Sequence, residues 1–168
     1  MAVIVRRRTD DDLDACEALA RTTHLVDGYP AYVRDDDFRH FVARPGALAA
    51  WVAEIEGTLV GHVALHSQTT EPAMQLARSH LDVSLEQLGV IARLLVAPDA
   101  RRLGVGSALL RTATAEARAR DLEPMLDVVT RHSAAMALYE NAGWLRVGTV
   151  TLVLPDGSSL DEHVYRAP

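Results

Sequence analysis

The chain has 168 residues, of which 49% are hydrophobic and 24% charged. That length and balance predict one folded domain over residues 1–168 and exclude a disordered polymer. Its formal net charge of -6 excludes the basic footprint of a general nucleic-acid binder. No apolar run approaches the roughly 20 residues that span a bilayer. In MAVIVRRRTD the charges follow the apolar residues, the reverse of a secretory leader. The expectation is therefore a cytoplasmic chain with no membrane partner. All 17 Lys+Arg residues are arginine, so no lysine is available for Schiff-base chemistry. Cys16 is the single cysteine; it cannot form an internal disulfide, and no cysteine–histidine cluster suggests a metal. Its place at an apolar helical position reads as packing.

In chain order, AVIVRRRT at 2–9 reads as a strand. Asp10–Asp12 then cap a helix over roughly 12–23, with Leu13, Cys16, Leu19 and Ala20 on one face; the triple aspartate reads as a cap and not as a metal site. VDGYP at 26–30 is a turn, and Asp35–Asp37 repeat the capping device before a second helix at RHFVA. LAAWVAEIEG and TLVGHVALHS are strands joined by Glu56-Gly57, a hairpin signal. Residues 69–89 predict one or two short helices, with a start at Thr70, Pro72 in the first turn and capping-box spacing in SLEQ at 84–87. GVIARLLVAP at 89–98 is a strand that Pro98 ends. Gly104 to about Arg120 is a helix with Val105, Leu109, Ala113 and Ala117 along one stripe. MLDVVT at 125–130 is a buried strand. Ser133 caps a helix that runs to Asn141 and stops at Gly143, and WLRVGTVTLVLPDG and SSLDEHVYRAP close the chain as strands. Strands at both ends around a strand–helix–strand–helix unit predict a mixed α/β sheet.

The stretch APDARRLGVGSALL at 97–110 places Arg101, Arg102, Gly104 and Gly106 between a strand and a helix. Glycines there leave backbone N–H groups unobstructed at a helix N-terminus, where the dipole favours an anion. Arg101 and Arg102 can add charge-assisted contacts, so a phosphate or pyrophosphate is the natural guest. Two glycines alone would equally serve a tight turn and close helix packing. A P-loop needs a lysine that the chain lacks. A dinucleotide fingerprint needs a third glycine where Leu109 stands, and Asp127 lies within a strand pattern instead of at its end.

LLVAPDARRLGVGSALL resembles the signature of the GCN5-related N-acetyltransferases (GNAT), Arg/Gln-x-x-Gly-x-Gly/Ala after a strand ending in Val-x-Pro. The matching residues are Arg101 to Gly106 after Val96-Ala97-Pro98. ALYENAGW at 137–144 resembles the family's Leu-Tyr-Glu-x-x-Gly-Phe/Trp motif, and the order of elements fits from end to end. The resemblance implies an α/β (α+β) fold with a mixed, mostly antiparallel central sheet flanked by helices. It implies acetyl-coenzyme A as donor and an amine as acceptor. The pyrophosphate would lie on the N–H groups of Arg101, Arg102, Leu103, Gly104, Val105, Gly106 and Ser107. Pantetheine would pair along Leu94, Leu95 and Val96, with an N–H near Leu95 or Val96 polarising the thioester carbonyl. Tyr139 would be the general acid that protonates the departing thiolate; apart from the motif, it reads as an apolar-face helix residue. His132 stands where the family often carries a cofactor-contacting Asn. Arg102 stands where glycine is frequent, its side chain turned to solvent or to phosphate.

For the acceptor side, His62 and His66 lie four apart on a strand and share a face. Glu54, Glu86 and His24 are further candidates for a base, each with a structural reading beside it. Residues 69–89 exceed a short turn by enough to suggest that they line the acceptor site together with VDGYP, or that they are a structural or dimer-forming insertion. The expected function is direct acetyl transfer to a primary amine of a small molecule or peptide, without a covalent enzyme intermediate. The other reading is a non-catalytic acyl-coenzyme A sensor of the same fold, and Tyr139 speaks for the enzyme.

Overall fold

The computed structural model describes residues 1–67 and 71–168; the helix start predicted at Thr70 lies outside the described residues. Contacts concentrate in two units. One comprises Met1–His66 with Ile91–Ala115, the other Ser67–Val90 with Glu116–Pro168.

In the first unit, β1 (Val3–Arg7), β2 (Ala47–Ile55) and β3 (Thr58–His66) form antiparallel ladders. Glu56 and Gly57 both take positive φ, 51° and 76°, as the tight turn between β2 and β3 requires. α1 (Leu13–Asp27) and α2 (Phe38–Val42) pack Cys16, Leu19, Ala20, Phe38 and Val42 onto Val52 and onto Leu95 of β4 (Leu88–Val96). Burial raises the Cys16 thiol to about 11, consistent with packing and not with nucleophilic chemistry. α4 (Val105–Ala119) buries Val105, Leu109 and Ala113 along the expected stripe.

Two local expectations change in this unit. α1 runs to Asp27 and closes at Gly28, whose φ is 73°, so Val26 and Asp27 are helical and not turn. The helix needs a left-handed terminator, and Gly28 is the first residue that supplies one cheaply. Asp10–Asp12 form a 3-10 turn capped by Thr9. Asp12 does not cap α1 with its side chain; its carboxylate accepts from the Thr9 N–H at 2.7 Å and from Arg6 Nη1 and Nη2, each at 2.8 Å. Those bonds hold its pKa well below the usual carboxylate range. At α2 the capping expectation is met, with Asp37 accepting from the His40 N–H at 2.8 Å.

In the second unit, the start of β4 pairs in parallel with β5 (Glu123–Val129), from Leu88↔Glu123 to Val90↔Met125. β7 (Ser159–Arg166) is antiparallel to β5 and to β6 (Leu145–Val153). Along the sheet the strand order is β1-β2-β3-β4-β5-β7-β6, mixed and mostly antiparallel as the resemblance implied. α3 (Pro72–Leu81) starts with proline in its first turn, and the Ser84–Gln87 capping box forms behind it, with Ser84 N–H donating to Gln87 Oε1 at 2.9 Å. α3 lies against β6, where Leu76 occupies the space a Cβ on Gly148 would need, 2.7 Å away. α5 (Ser133–Asn141) has His132 as its N-cap residue and not Ser133, one residue earlier than predicted. No described helix is long and apolar enough to cross a membrane.

Candidate active site

The end of β4 is fixed before the glycine loop begins. The Ala97 N–H donates to Val60 O of β3 at 2.8 Å, and Pro98–Ala100 make a 3-10 turn closed by Ala100 N–H to Ala97 O at 2.9 Å. The chain then reverses through two left-handed residues, Arg102 at φ 63° and Gly104 at φ 84°. Nothing lies within 4 Å of a Cβ built at Gly104, so this glycine is required by its φ and not by crowding. Arg102 has no such freedom, and its conformation costs about 1–2 kcal/mol. This is the physical content of the departure at Arg102: the loop needs a left-handed residue there, where the family often has glycine.

The first bond within α4 runs from Ala108 N–H to Gly104 O at 3.0 Å. The N–H groups of Val105, Gly106 and Ser107 therefore precede the helical ladder, as the first N–H groups of any helix do. Arg101, Arg102, Leu103, Gly104 and Ser107 are exposed, Gly106 is half-buried, and Val105 is buried. Exposed left-handed backbone running into a helix N-terminus fits a diphosphate. The Arg101 guanidinium is already engaged, paired with Asp27 at the end of α1 at 2.5 Å. The expectation of a phosphate contact from this side chain thus meets a competing partner.

β3 carries two supports for this region, one on each face. A Cβ on Gly61 would lie 2.8 Å from both Val105 Cγ1 and Leu109 Cδ1, so the missing side chain is what lets the first turns of α4 lie on the strand. His62, the next residue, points to the opposite face. It is registered opposite Val52 and fully buried. Its Nδ1 lies 2.9 Å from Arg93 O and its Nε2 lies 3.1 Å from Arg8 Nη1. A carbonyl only accepts and a guanidinium only donates, so Nδ1 carries the proton and Nε2 the lone pair. His66 Nε2 faces Arg93 Nη1 at 3.3 Å. Burial, then the nearby arginines, lower His62 to about 4 and His66 to about 3.

The remaining acceptor-side candidates also have structural partners. His24 Nδ1 donates to Pro30 O at 2.8 Å, and its ring meets Phe38 edge-on at 5.4 Å. Glu54 Oε1 accepts from Arg6 Nη2 at 2.5 Å. Glu86 lies in the exposed 3-10 turn Leu85–Gln87. The predicted same-face relation of His62 and His66 holds, but both are neutral acceptors for arginine.

Within the second unit, α5 holds Tyr139, and its N-cap residue His132 is half-buried. The Tyr139 ring is buried against Trp144 and Tyr165, at centroid distances of 6.4 and 5.8 Å. Its carbonyl accepts from the Ala142 and Trp144 N–H groups, each at 3.0 Å, and Gly143 at φ 82° makes that turn. Tyr165 Oη donates to Glu140 Oε1 at 2.8 Å and accepts from Arg146 Nη2 at 3.1 Å. The motif Leu138-Tyr139-Glu140 is thus one packed helix end, with Glu140 serving Tyr165.

One titratable group escaped the sequence reading. Glu162 of β7 is buried on the sheet face that also carries Asp127 of β5. Burial, then Asp127 and Glu71, push its carboxyl up to about 8. Its alternating strand pattern gave no signal, because only the ladder brings it beside Asp127.

Comparison with known proteins agrees with this geometry. The model of the acetyltransferase (GNAT) family matches residues 13–144. The chain is 27% identical over 148 residues to an N-alpha-acetyltransferase of Sulfurisphaera tokodaii, covering 86% of this chain and 80% of the relative. Its fold is similar to that of Arabidopsis thaliana NAA60 in complex with acetyl-CoA, with a TM-score of 0.73 at 20% identity over 98% of this chain and 97% of that one. It is likewise similar to a ribosomal-protein-alanine N-acetyltransferase from Brucella melitensis, with a TM-score of 0.71 at 23% identity over 97% and 98% of the two chains. With the family model covering most of its length, and with the strand, glycine loop and helix N-terminus in place, the chain belongs to the GNAT acetyltransferase family.

Proposed function

We propose that this protein transfers the acetyl group of acetyl-coenzyme A to the α-amine of a peptide or protein N-terminus, by direct attack and without a covalent enzyme intermediate. Family membership makes it an acetyl-coenzyme A-dependent acetyltransferase. The observation that carries the donor half is the loop itself, with left-handed Arg102 and Gly104 leading into the α4 N-terminus. The N–H groups of residues 101–107 hold the pyrophosphate. Leu94, Leu95 and Val96 offer backbone to the pantetheine arm, and an N–H at Leu95 or Val96 draws charge from the thioester oxygen. His132 adds a polar cofactor contact at the start of α5. The donor supplies an activated acyl carbon and a thiolate leaving group. As the carbon–sulfur bond breaks, Tyr139 gives its phenolic proton to the sulfur.

Two lines support the α-amine. A relative of this chain is by name an N-alpha-acetyltransferase, and two solved structures similar to it are by name ribosomal-protein alanine N-acetyltransferases. Chemistry points the same way. An α-amine has a pKa of about 7.7–8.0, against about 10.4 for lysine, so it needs the least help in losing a proton. His62 and His66, two of the bases that the sequence offers, are held by arginines, which suits an acceptor that is partly neutral at physiological pH.

The test is thiol release from acetyl-coenzyme A with matched peptides, one with a free N-terminus and no lysine, one N-terminally blocked with a lysine. Turnover is expected on the first. Turnover on the second alone would refute the acceptor class, and tight donor binding with no turnover on any amine would refute the enzyme. Tyr139→Phe is expected to lower kcat by roughly a hundredfold or more.

A further inference from the structure

β4 contains a residue in a conformation that side chains avoid. Arg93 lies in the middle of the strand with φ 55°. Such a residue turns the following peptide out of the regular alternation, so the backbone groups after it aim differently from those before it. The residues after it are Leu94, Leu95 and Val96. A conformation of this kind persists only where its surroundings over-determine it, and Arg93 is held from three directions. Its carbonyl accepts from His62 Nδ1 at 2.9 Å, its Nε donates to Phe41 O at 2.7 Å, and its guanidinium lies over the Phe41 ring at 5.1 Å. His62 is itself fixed from the far side by Arg8, which also donates to Val42 O. Phe41 and Val42 are the last residues of α2, where helix carbonyls lack partners along the helix. The two arginines complete those carbonyls, and the imidazole sits between them.

We propose that His62 is a positioning residue for acetyl transfer: its Nδ1–H pins the Arg93 carbonyl, holds Arg93 left-handed, and so aims the N–H groups of Leu94–Val96. The consequence for the donor rests on the function proposed above; the backbone claim does not. The side chain never meets substrate. It acts through one hydrogen bond to a carbonyl, and its other nitrogen serves only to keep the ring in place.

Two substitutions separate the two nitrogens. His62→Asn keeps an N–H near the Nδ1 position, whereas His62→Gln reaches the Nε2 position and gives up the bond to Arg93. The expected result is that His62→Asn keeps the backbone chemical shifts of residues 93–96 and the Kd for acetyl-coenzyme A, while His62→Gln moves both, the Kd by roughly tenfold. In an Arg93→Gly background glycine takes the left-handed conformation unaided, so His62→Gln should there change the Kd by no more than about twofold. Equal effects of Asn and Gln at position 62, or a His62→Gln penalty that survives in the glycine background, would overturn the proposal. The shifts are read without donor. A native protein that binds no acetyl-coenzyme A, yet shows the Asn–Gln difference in its shifts, would sink the proposed function and leave the positioning role standing.

Discussion

The loop at 97–107 and the strands behind it present opposite kinds of construction. The loop is exposed and works through its main chain, and its side chains matter chiefly for the φ angles they permit. Behind it, Gly61, His62, Arg93 and Arg8 are specified by what their side chains, or the lack of one, meet in three dimensions. Parts that touch a ligand through backbone can be written in a short local motif. Parts that aim that backbone are scattered over α2, β3, β4 and the residue that follows β1, and no spacing rule collects them.

Substitutions can break this contrast in order of expected effect. Gly61→Ala forces a methyl against Val105 and Leu109 and should cost about 1–3 kcal/mol of stability. It should also weaken donor binding, because the first turn of α4 must move; thermal unfolding and calorimetric titration read both. An unchanged melting temperature would show that the close approach is not built in.

Glu162→Gln comes next. The folded protein keeps a proton on Glu162 that the unfolded chain releases, since its carboxyl is raised from 4.5 to about 8. The native state is therefore favoured most below pH 4.5, loses that advantage as pH climbs to about 8, and changes little from this group above it. Glutamine should remove that decline, so the variant gains on the native protein at pH 8.5 and matches it near pH 4. Parallel melting curves across that range would contradict the buried-carboxyl account.

Arg102→Gly should raise stability by about 0.4–1 kcal/mol, because glycine accepts the left-handed φ that arginine resists. A loss of donor affinity in the same variant would assign the arginine side chain to phosphate. Asp27→Asn is expected to be the smallest effect. The Arg101–Asp27 pair is partly exposed, at 38% and 35%, and pairs of that kind contribute about 0–1 kcal/mol. Any gain in donor affinity would show that Asp27 competes for Arg101.

Much of the fold was legible. Periodicity located the strands and the stripe of α4, and the capping box at Ser84 and the turn at Glu56-Gly57 formed as read. The errors fell at helix ends. α1 passed through β-branched Thr22, Thr23 and Val26 to reach Gly28, and α5 began at Ser133 itself, with His132 in the cap position expected of the serine. Propensity is weak at such points and packing decides. In the site, the two motifs were legible because family resemblance lies in contiguous residues. The pairing of His62 with Arg93 was hidden because the residues lie 31 apart in the chain, and neither carries a sign of the other. His62 and His66 suggested acid–base work, and only burial and their arginine partners show them to be neutral.

Backbone N–H groups hold the donor in the proposed site. Titrating acetyl-coenzyme A into isotopically labelled protein and following each amide tests it most directly. The amides of Leu94–Val96 and of Val105–Ser107 are expected to shift together and saturate with one Kd. Binding or turnover with those amides unmoved would contradict it.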